Sequence, residues 1–230
     1  MIQKDLERYA QNNWSELMAA VTELSSSGQG KPSLVTSDKK FYNFDKIFGQ
    51  LFAGQGSLPG SGDGLVFFRK SVCFVEFKSG FVQKITRNNY EKAKMTCDET
   101  GEECAAYRDL FFKNQETERK ELLSNLRQKA LEIYLTLEKK ILPLCEDTEP
   151  RRLVFVVVID DDPVNVEEDL LAELTGSQTV KDNRIADIRR SLRRLAYQRD
   201  AAGNTYCYDE IEVHSAANFS RMLNARIRGM

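Results

Sequence analysis

The chain has 230 residues, of which 41% are hydrophobic, and its 33 basic side chains nearly balance its 35 acidic ones. A chain of this size can bury one substantial core, so we expect a single domain over residues 1–230, and the charge balance excludes a uniformly polycationic surface. Five cysteines without a CxxC spacing and a single histidine, His214, exclude a zinc ribbon, a secreted disulfide framework and histidine-rich metal clusters.

The N-terminal part of the chain has the apolar spacing of helices. Apolar residues recur at helical spacing over residues 4–25, and a second helical pattern covers residues 41–52 after a flexible break at residues 28–32. We therefore expect an N-terminal helical segment over residues 1–53 and a core over residues 54–230. Residues 54–62 are too rich in glycine for regular structure and lead directly to Asp63.

The next stretch predicts two adjacent strands. Residues 65–68 and 72–77 are β-branched and aromatic runs separated by Arg69-Lys70-Ser71, which is the pattern of a hairpin. A helical pattern then returns over residues 102–142 and ends before Pro143. Residues 153–159, LVFVVVI, are apolar on both faces, which predicts a strand in the middle of a covered sheet.

The C-terminal third predicts further helices and one strand. Helices are expected over residues 162–174, 184–199 and 219–228, and a strand over residues 205–213. His214 follows this strand pattern and is predicted to be a partly buried structural histidine. The order of elements indicates an α/β fold with a mixed sheet.

The candidate chemistry lies on the hairpin. Asp63 is followed after twelve residues by Glu76-Phe77-Lys78. Two further E-x-K triplets, at residues 118–120 and 138–140, lie on the predicted long helix, where positions i and i+2 point in different directions. On a strand, side chains two apart share a face, so Glu76 and Lys78 project together. The strand triplet is therefore the one that can form a site.

The length of the hairpin loop decides whether Asp63 joins this pair. A two-residue loop at Lys70-Ser71, or a four-residue loop over residues 69–72, pairs Asp63 with Lys78 and places Asp63 diagonally from Glu76 on the same face. An odd loop length would turn Asp63 to the opposite face. We expect an even loop.

These residue types suit phosphodiester hydrolysis. Two carboxylates can hold a hard cation such as Mg²⁺ or Mn²⁺ and leave coordination positions for water and a phosphate oxygen. The compact ammonium of Lys78 can orient the attacking water and add positive charge at the transition state.

Gly62-Asp63, the hydrophobic strand and the run Val75-Glu76-Phe77-Lys78-Ser79-Gly80 together resemble the PD-(D/E)xK phosphodiesterases, the restriction-endonuclease-like superfamily. In that family a helix precedes a strand hairpin bearing D and ExK, and a helix and another buried strand follow. The resemblance implies a restriction-endonuclease-like mixed β-sheet flanked by helices. It covers residues 62–80 closely and residues 41–160 loosely, and Gly62 stands where the motif has proline.

The resemblance also implies roles for individual residues. It makes Asp63 and Glu76 metal ligands, the Phe77 carbonyl a further ligand, and Lys78 the catalytic lysine. Many members carry an additional acid on the first helix, and Asp45 is the nearest candidate in this chain.

A basic surface is predicted on the helix over residues 184–199. Four of its arginines cluster along the flank opposite the apolar side: Arg189, Arg190, Arg193 and Arg194. They either form an ordinary solvated face or follow the phosphates of a nucleic acid.

The leading hypothesis is a Mg²⁺- or Mn²⁺-dependent nuclease that hydrolyses DNA. The alternatives are a catalytically inactive nuclease-like module that binds nucleic acid or protein, and a purely structural Glu76–Lys78 ion pair. The expected partners are DNA or another nucleic acid and, as one option, a second copy in a homodimer. The cysteine usage indicates the cytoplasm, and the sequence predicts no signal peptide and no membrane partner.

Overall fold

The computed structural model describes residues 2–26, 32–56, 59–79, 102–160, 180–196 and 207–228. Seven strands lie in these ranges: β1 (Ile2–Lys4), β2 (Met18–Ala20), β3 (Lys40–Asn43), β4 (Gly64–Phe68), β5 (Ser71–Lys78), β6 (Asp147–Ile159) and β7 (Glu210–Ser215). The helices are α1 (Leu6–Trp14), α2 (Val21–Leu24), α3 (Phe44–Leu51), α4 (Glu102–Thr136), α5 (Val180–Ala196) and α6 (Ala216–Arg228).

The strands form one mixed sheet. The order is β1-β6-β5-β4-β3-β2, and β7 also pairs with β6. β5, β6 and β7 run parallel, and the remaining pairs are antiparallel. The prediction of an α/β fold with a mixed sheet is therefore confirmed.

The expectation of a helical N-terminal segment is wrong in part. Residues 4–25, expected to be one helix, form α1, a 3₁₀ turn at Ser15–Leu17, the short strand β2 and then α2. β1, which ends at Lys4, pairs with the first part of β6, while β2 pairs with β3. Pairing with distant strands overrides the local helical spacing here.

The second expected helix also begins later than predicted. Residues 40–43 form β3, which pairs with both β2 and β4, and α3 begins only at Phe44. The side chain of Asn43 caps α3 by accepting a hydrogen bond from the Lys46 N–H at 3.0 Å. Because an asparagine cap fixes a helix start, the apolar run over residues 41–52 divides between a strand and a helix.

The expected hairpin is confirmed, with a different register. The turn consists of Arg69-Lys70, Phe68 pairs with Ser71, and Leu65 pairs with Phe74. This is an even, two-residue turn, shifted along the chain by one residue from the predicted Lys70-Ser71 loop. The pairing across the hairpin is consequently shifted by two residues, which preserves the face of every side chain.

The long helix and the buried strand are also confirmed. α4 continues through a π-helical turn at Leu137–Ile141 and a 3₁₀ turn at Leu142–Leu144, which contains Pro143. β6 begins at Asp147, earlier than expected, and its residues from Leu153 to Ile159 are buried. As predicted, this strand lies inside the sheet and is covered on both faces.

Hydrophobic clusters cover the two faces of the sheet. On the first face, Leu65, Phe74, Phe155 and Val157 pack with residues of α1, α3, α4 and α5: Leu6, Phe44, Leu126, Ile133, Ile188 and Leu192. On the second face, Val75, Val156 and Val158 pack with Phe219 and Leu223 of α6. Glu76 has the same parity as Phe74, so it points to the first face, toward α4.

The C-terminal elements agree with the predictions except at their ends. α5 begins at Val180, β7 covers Glu210–Ser215, and α6 begins at Ala216. The helix expected over residues 162–174 lies outside the described residues. In the part of the chain that the structure describes, no helix has an apolar stretch of the length that crossing a bilayer requires.

Candidate functional site

The hairpin brings Asp63 beside Glu76. Gly64 pairs with Val75, so continuing this register places Asp63 opposite Glu76, where we had expected it opposite Lys78. The Asp63 N–H donates to the Val75 carbonyl at 3.0 Å, and Asp63 Oδ2 accepts a hydrogen bond from the Phe77 N–H at 2.6 Å. The even turn therefore keeps Asp63 on the face of Glu76 and Lys78.

Glu76 is the centre of a buried cluster of charges. It is fully buried, and its Oε1 atom lies 2.7 Å from Lys78 Nζ and 2.9 Å from Lys129 Nζ. Its other oxygen, Oε2, is buried and has no hydrogen-bond partner among the described residues. A buried carboxylate oxygen without a partner is costly, and a hydrogen-bond donor or a cation bound at this oxygen would offset that cost.

Lys129 was missed by the sequence reasoning. It lies on α4, between the fully buried Leu126 and Ile133, and only its long side chain reaches the sheet. A lysine three residues after one core position and four residues before another is a signal that could have been noticed. Its partner could not be identified from spacing, since 53 residues separate it from Glu76.

The surroundings of Asp63 shift its pKa strongly. Burial, followed by the negative charge of Glu76, raises the pKa of Asp63 from 3.8 to about 7, against the opposing Phe77 hydrogen bond and Lys129. Burial by itself lowers the pKa of Lys129, but Glu76 and the other carboxylates outweigh it and raise that pKa. The raised pKa of Asp63 shows that this position favours a proton or another positive charge next to the carboxylate.

Asp45 lies at the edge of the cluster. It is exposed on α3, it accepts a hydrogen bond from the Ser61 hydroxyl, and its charge contributes to the raised pKa of Asp63. Its contribution is smaller than that of Glu76. The structure thus places the expected additional acid near the site, outside the buried part.

The loop that carries Asp63 rests on α4. The Gly60 N–H donates to the Glu132 carboxylate, and a Cβ at Gly60 would lie 2.7 Å from Glu132 Oε2 and 3.0 Å from Lys129 Cγ. A Cβ at Gly62 would lie 3.1 Å from Ile133 Cδ1. Close approach of this loop to the helix explains why glycine is suited to positions 60 and 62.

The cluster offers two carboxylates to a cation. Among the described residues, no group of three or more histidine, cysteine, aspartate or glutamate side chains is arranged to hold a metal ion. Asp63 and the open Oε2 atom of Glu76 remain as oxygen ligands of the kind that Mg²⁺ accepts together with waters. These two carboxylates therefore suit a hard cation that keeps several water ligands. They do not suit a metal whose ligands must all come from protein side chains.

The arginine cluster is separate from these carboxylates. Arg189, Arg190, Arg193 and Arg194 are all exposed on α5, and the first three line a groove of about 770 Å³ beside β7. Arg189 Nη2 lies 3.4 Å from the Val213 carbonyl, and Arg190 lies 3.8 Å from Asp187. The groove also contains acidic residues, Glu210 and Glu212, so its charge is mixed.

His214 behaves as a structural residue. It is half-buried on β7, and its Nε2 atom lies 2.9 Å from Glu212 Oε2 in the same strand. The pair lines the groove beside the arginines. The prediction of a partly buried histidine is confirmed.

Comparison with known proteins adds no relative. No protein-family model, no curated protein and no solved structure matches the chain.

Proposed function

We propose that this chain is a metal-dependent nuclease that hydrolyses DNA phosphodiester bonds at a site formed by Asp63, Glu76 and Lys78. One observation carries the proposal: the hairpin directs two carboxylates and a lysine into one buried cluster, in which Glu76 Oε2 has no partner among the residues that the structure describes. Burying charges destabilises a fold unless partners or a ligand compensate them, and buried titratable clusters of this kind are frequent at functional sites.

The order of elements supports a restriction-endonuclease-like fold. α3 precedes the β4–β5 hairpin, which carries the aspartate and the E-x-K triplet, and α4 and the buried strand β6 follow. This is the order expected for the PD-(D/E)xK family. The parallel pairing of β5 with β6 agrees with a mixed sheet in which the site lies where β5 ends.

The residues have separable roles in the proposed reaction. Asp63 and Glu76 would hold a Mg²⁺ or Mn²⁺ ion, with the Phe77 carbonyl as a further ligand that the family resemblance implies. When bound, such an ion polarises the phosphate and lowers the pKa of a coordinated water. The Lys78 side chain is one quarter exposed, and its ammonium can donate hydrogen bonds to the attacking water and to a phosphate oxygen.

The arginines of α5 are proposed to contact the DNA backbone. The parallel register aligns Lys78, Ile159 and Ser215, so β5 and β7 end at the same edge of the sheet, and the groove follows β7 from Glu210 to His214. Two strand spacings separate β5 from β7, which corresponds to about 10 Å. A nucleic-acid strand that crosses this end of the sheet can reach both regions.

One observation favours the inactive alternative. Both lysines already contact Glu76, so the cluster has counterions for its carboxylates without a cation. A nuclease-like module that binds nucleic acid or protein without cleaving it, including as a homodimer, would need no more than this. Only a test of cleavage separates the two functions.

The deciding experiment measures cleavage and cation binding together. Purified protein is incubated with duplex, single-stranded and branched DNA, and with RNA, in Mg²⁺, in Mn²⁺ and in EDTA. We expect DNA cleavage with either ion and none in EDTA. Glu76→Gln should lose both cleavage and cation binding, since the amide is a weaker ligand for a hard cation. The exposed Glu121→Gln on α4 serves as the matched control.

Three results would count against the proposal. Binding of DNA without cleavage in either ion would replace the enzyme with the binding module. Cleavage that persists in Glu76→Gln would place the chemistry elsewhere in the chain. Cleavage confined to RNA would correct the substrate while leaving the site in place.

A further inference from the structure

The position of Lys129 has a consequence for cation binding. Its ammonium lies 2.9 Å from Glu76 Oε1, the same atom that Lys78 contacts at 2.7 Å. Two ammonium groups thus share one oxygen of a carboxylate that has no exposure to solvent. Lys78 reaches this atom from two residues away on the same strand, whereas Lys129 reaches it from a different element.

The backbone of Lys129 is held by its neighbours on α4, and its side chain is partly exposed. Leu126, Ala130 and Ile133 flank it on α4, and all three are fully buried against the sheet. The Lys129 side chain keeps 30% of its surface exposed. Because a lysine stem has four rotatable carbons and this side chain is partly exposed, the ammonium can leave Glu76 without a movement of the helix.

We infer that Lys129 is a positioning residue that neutralises Glu76 in the cation-free protein and thereby weakens the binding of a divalent cation to Asp63 and Glu76. This inference rests on the proposed function for the location of the cation site. Lys129 and a divalent cation are attracted by the same carboxylates, and two positive groups at close range repel each other. Lys129 therefore raises the cation concentration at which the site becomes half occupied.

The ion-binding test uses the full-length protein and Mn²⁺ alone. We expect Lys129→Met to bind Mn²⁺ on the order of tenfold more tightly than the wild-type chain, since a competing charge is removed from a partly screened site. Lys129→Arg keeps the positive charge and should restore wild-type affinity. The matched control is Lys139→Met, which removes an equally long but exposed lysine and should leave affinity unchanged.

A purely structural role gives the opposite result. If Lys129 only holds α4 against the sheet, Lys129→Met would loosen the carboxylates and leave Mn²⁺ affinity unchanged or weaker, which would overturn the inference. Lys129→Gln provides a second neutral variant whose amide can still donate to Glu76, in case the methionine variant does not fold. The same tightening is expected from it.

The outcomes separate this inference from the nuclease proposal. Tighter Mn²⁺ binding by Lys129→Met in a protein that never cleaves DNA would uphold the inference and reject the nuclease. DNA cleavage by the wild-type chain, with unchanged Mn²⁺ affinity in both neutral variants, would uphold the nuclease and reject the inference. Absence of Mn²⁺ binding in all variants would reject the inference.

Discussion

The Glu76 cluster and the arginine face of α5 are both charged, but their charges are placed in opposite ways. Glu76 is buried and shares one oxygen with two lysines, whereas the arginines at positions 189, 190, 193 and 194 are exposed. An exposed charge costs little free energy and is common on any helix. A buried charge needs partners or a ligand, so the Glu76 cluster carries the stronger functional argument.

The largest expected effect concerns catalysis in the buried cluster. Lys78→Met should lower the rate of DNA cleavage by about 10²–10³-fold, because it removes the group that orients water and stabilises charge at the transition state. Cation binding should persist, since lysine is not a ligand. Single-turnover cleavage and Mn²⁺ titration measure the two effects separately.

A lysine on the same hairpin provides the control for that variant. Lys70 is exposed in the two-residue turn, at the opposite end of β5 from Lys78. Lys70→Met should cleave DNA at the wild-type rate. An equal loss of cleavage in both variants would indicate that general positive charge, and not the position of Lys78, supports the activity.

The second largest expected effect concerns the exposed arginines of α5. Charge reversal at all four α5 arginines should weaken duplex binding by about 100-fold at physiological salt and flatten its salt dependence, by ~0.9 in log-log slope for each lost phosphate contact. Substitutions at exposed positions usually change stability little, so the free energy of unfolding should stay nearly constant. Binding is measured by fluorescence anisotropy over a range of salt concentrations.

Single variants resolve this effect by position. Arg193→Glu changes an arginine that lines the groove, while Arg8→Glu changes an exposed arginine that pairs with Glu146 beside β1. Only the first should alter the salt slope. Equal slopes in both variants would mean that the arginines of α5 form an ordinary solvated face and do not contact DNA.

A smaller effect tests the repulsion inside the buried cluster. Because the pKa of Asp63 is raised from 3.8 to about 7 in the folded chain, its protonated form stabilises the fold below pH 4, and that stability is lost as pH rises through 7. The full shift corresponds to about 4 kcal/mol, and since partial exposure lets water screen it, we expect about 2 kcal/mol.

Asp63→Asn should remove this pH dependence. The amide oxygen can still accept the hydrogen bond from the Phe77 N–H, so the variant should be more stable than the wild-type chain at pH 8 and equal to it at pH 4. Denaturant unfolding in EDTA at a series of pH values measures the difference. Asp38→Asn, at an exposed position, should show none. A variant less stable at pH 8 would mean that Asp63 is held mainly by attraction.

The hairpin, the long helix and the buried strand could be predicted because their signals are local. Residues 65–68 and 72–77 are β-branched and aromatic runs, and residues 153–159 are apolar on both faces, so each pattern lies within one element. Strand parity then placed Asp63, Glu76 and Lys78 on one face without knowledge of the exact turn. The observed pairing across the hairpin differs from the predicted one by two residues. Different residues are therefore opposed, but each side chain stays on its predicted face.

The remaining features depend on contacts between distant parts of the chain. β1 and β2 have three residues each, too few for a periodic pattern, and they exist because β6 and β3 offer hydrogen-bonding edges. The spacing of Lys129 from Leu126 and Ile133 places it on the core side of the helix but does not identify its partner. Its role depends on α4 packing across β5, a long-range contact that spacing within the helix does not reveal.

The smallest predicted effect concerns an exposed ion pair at the border of the groove. Arg152 Nη2 and Glu210 Oε2 are 2.6 Å apart, closer than either lysine is to Glu76, yet 54% of the Arg152 side chain and 34% of the Glu210 side chain are exposed. Solvent screens such a pair, so Glu210→Gln should change the free energy of unfolding by less than about 1 kcal/mol. Because Glu210 lines the groove with three arginines, its neutralisation should tighten duplex binding by about twofold, through reduced repulsion of phosphate. Weaker DNA binding by Glu210→Gln would contradict the assignment of this groove to the phosphate backbone and leave the buried cluster as the one charged region with a functional argument.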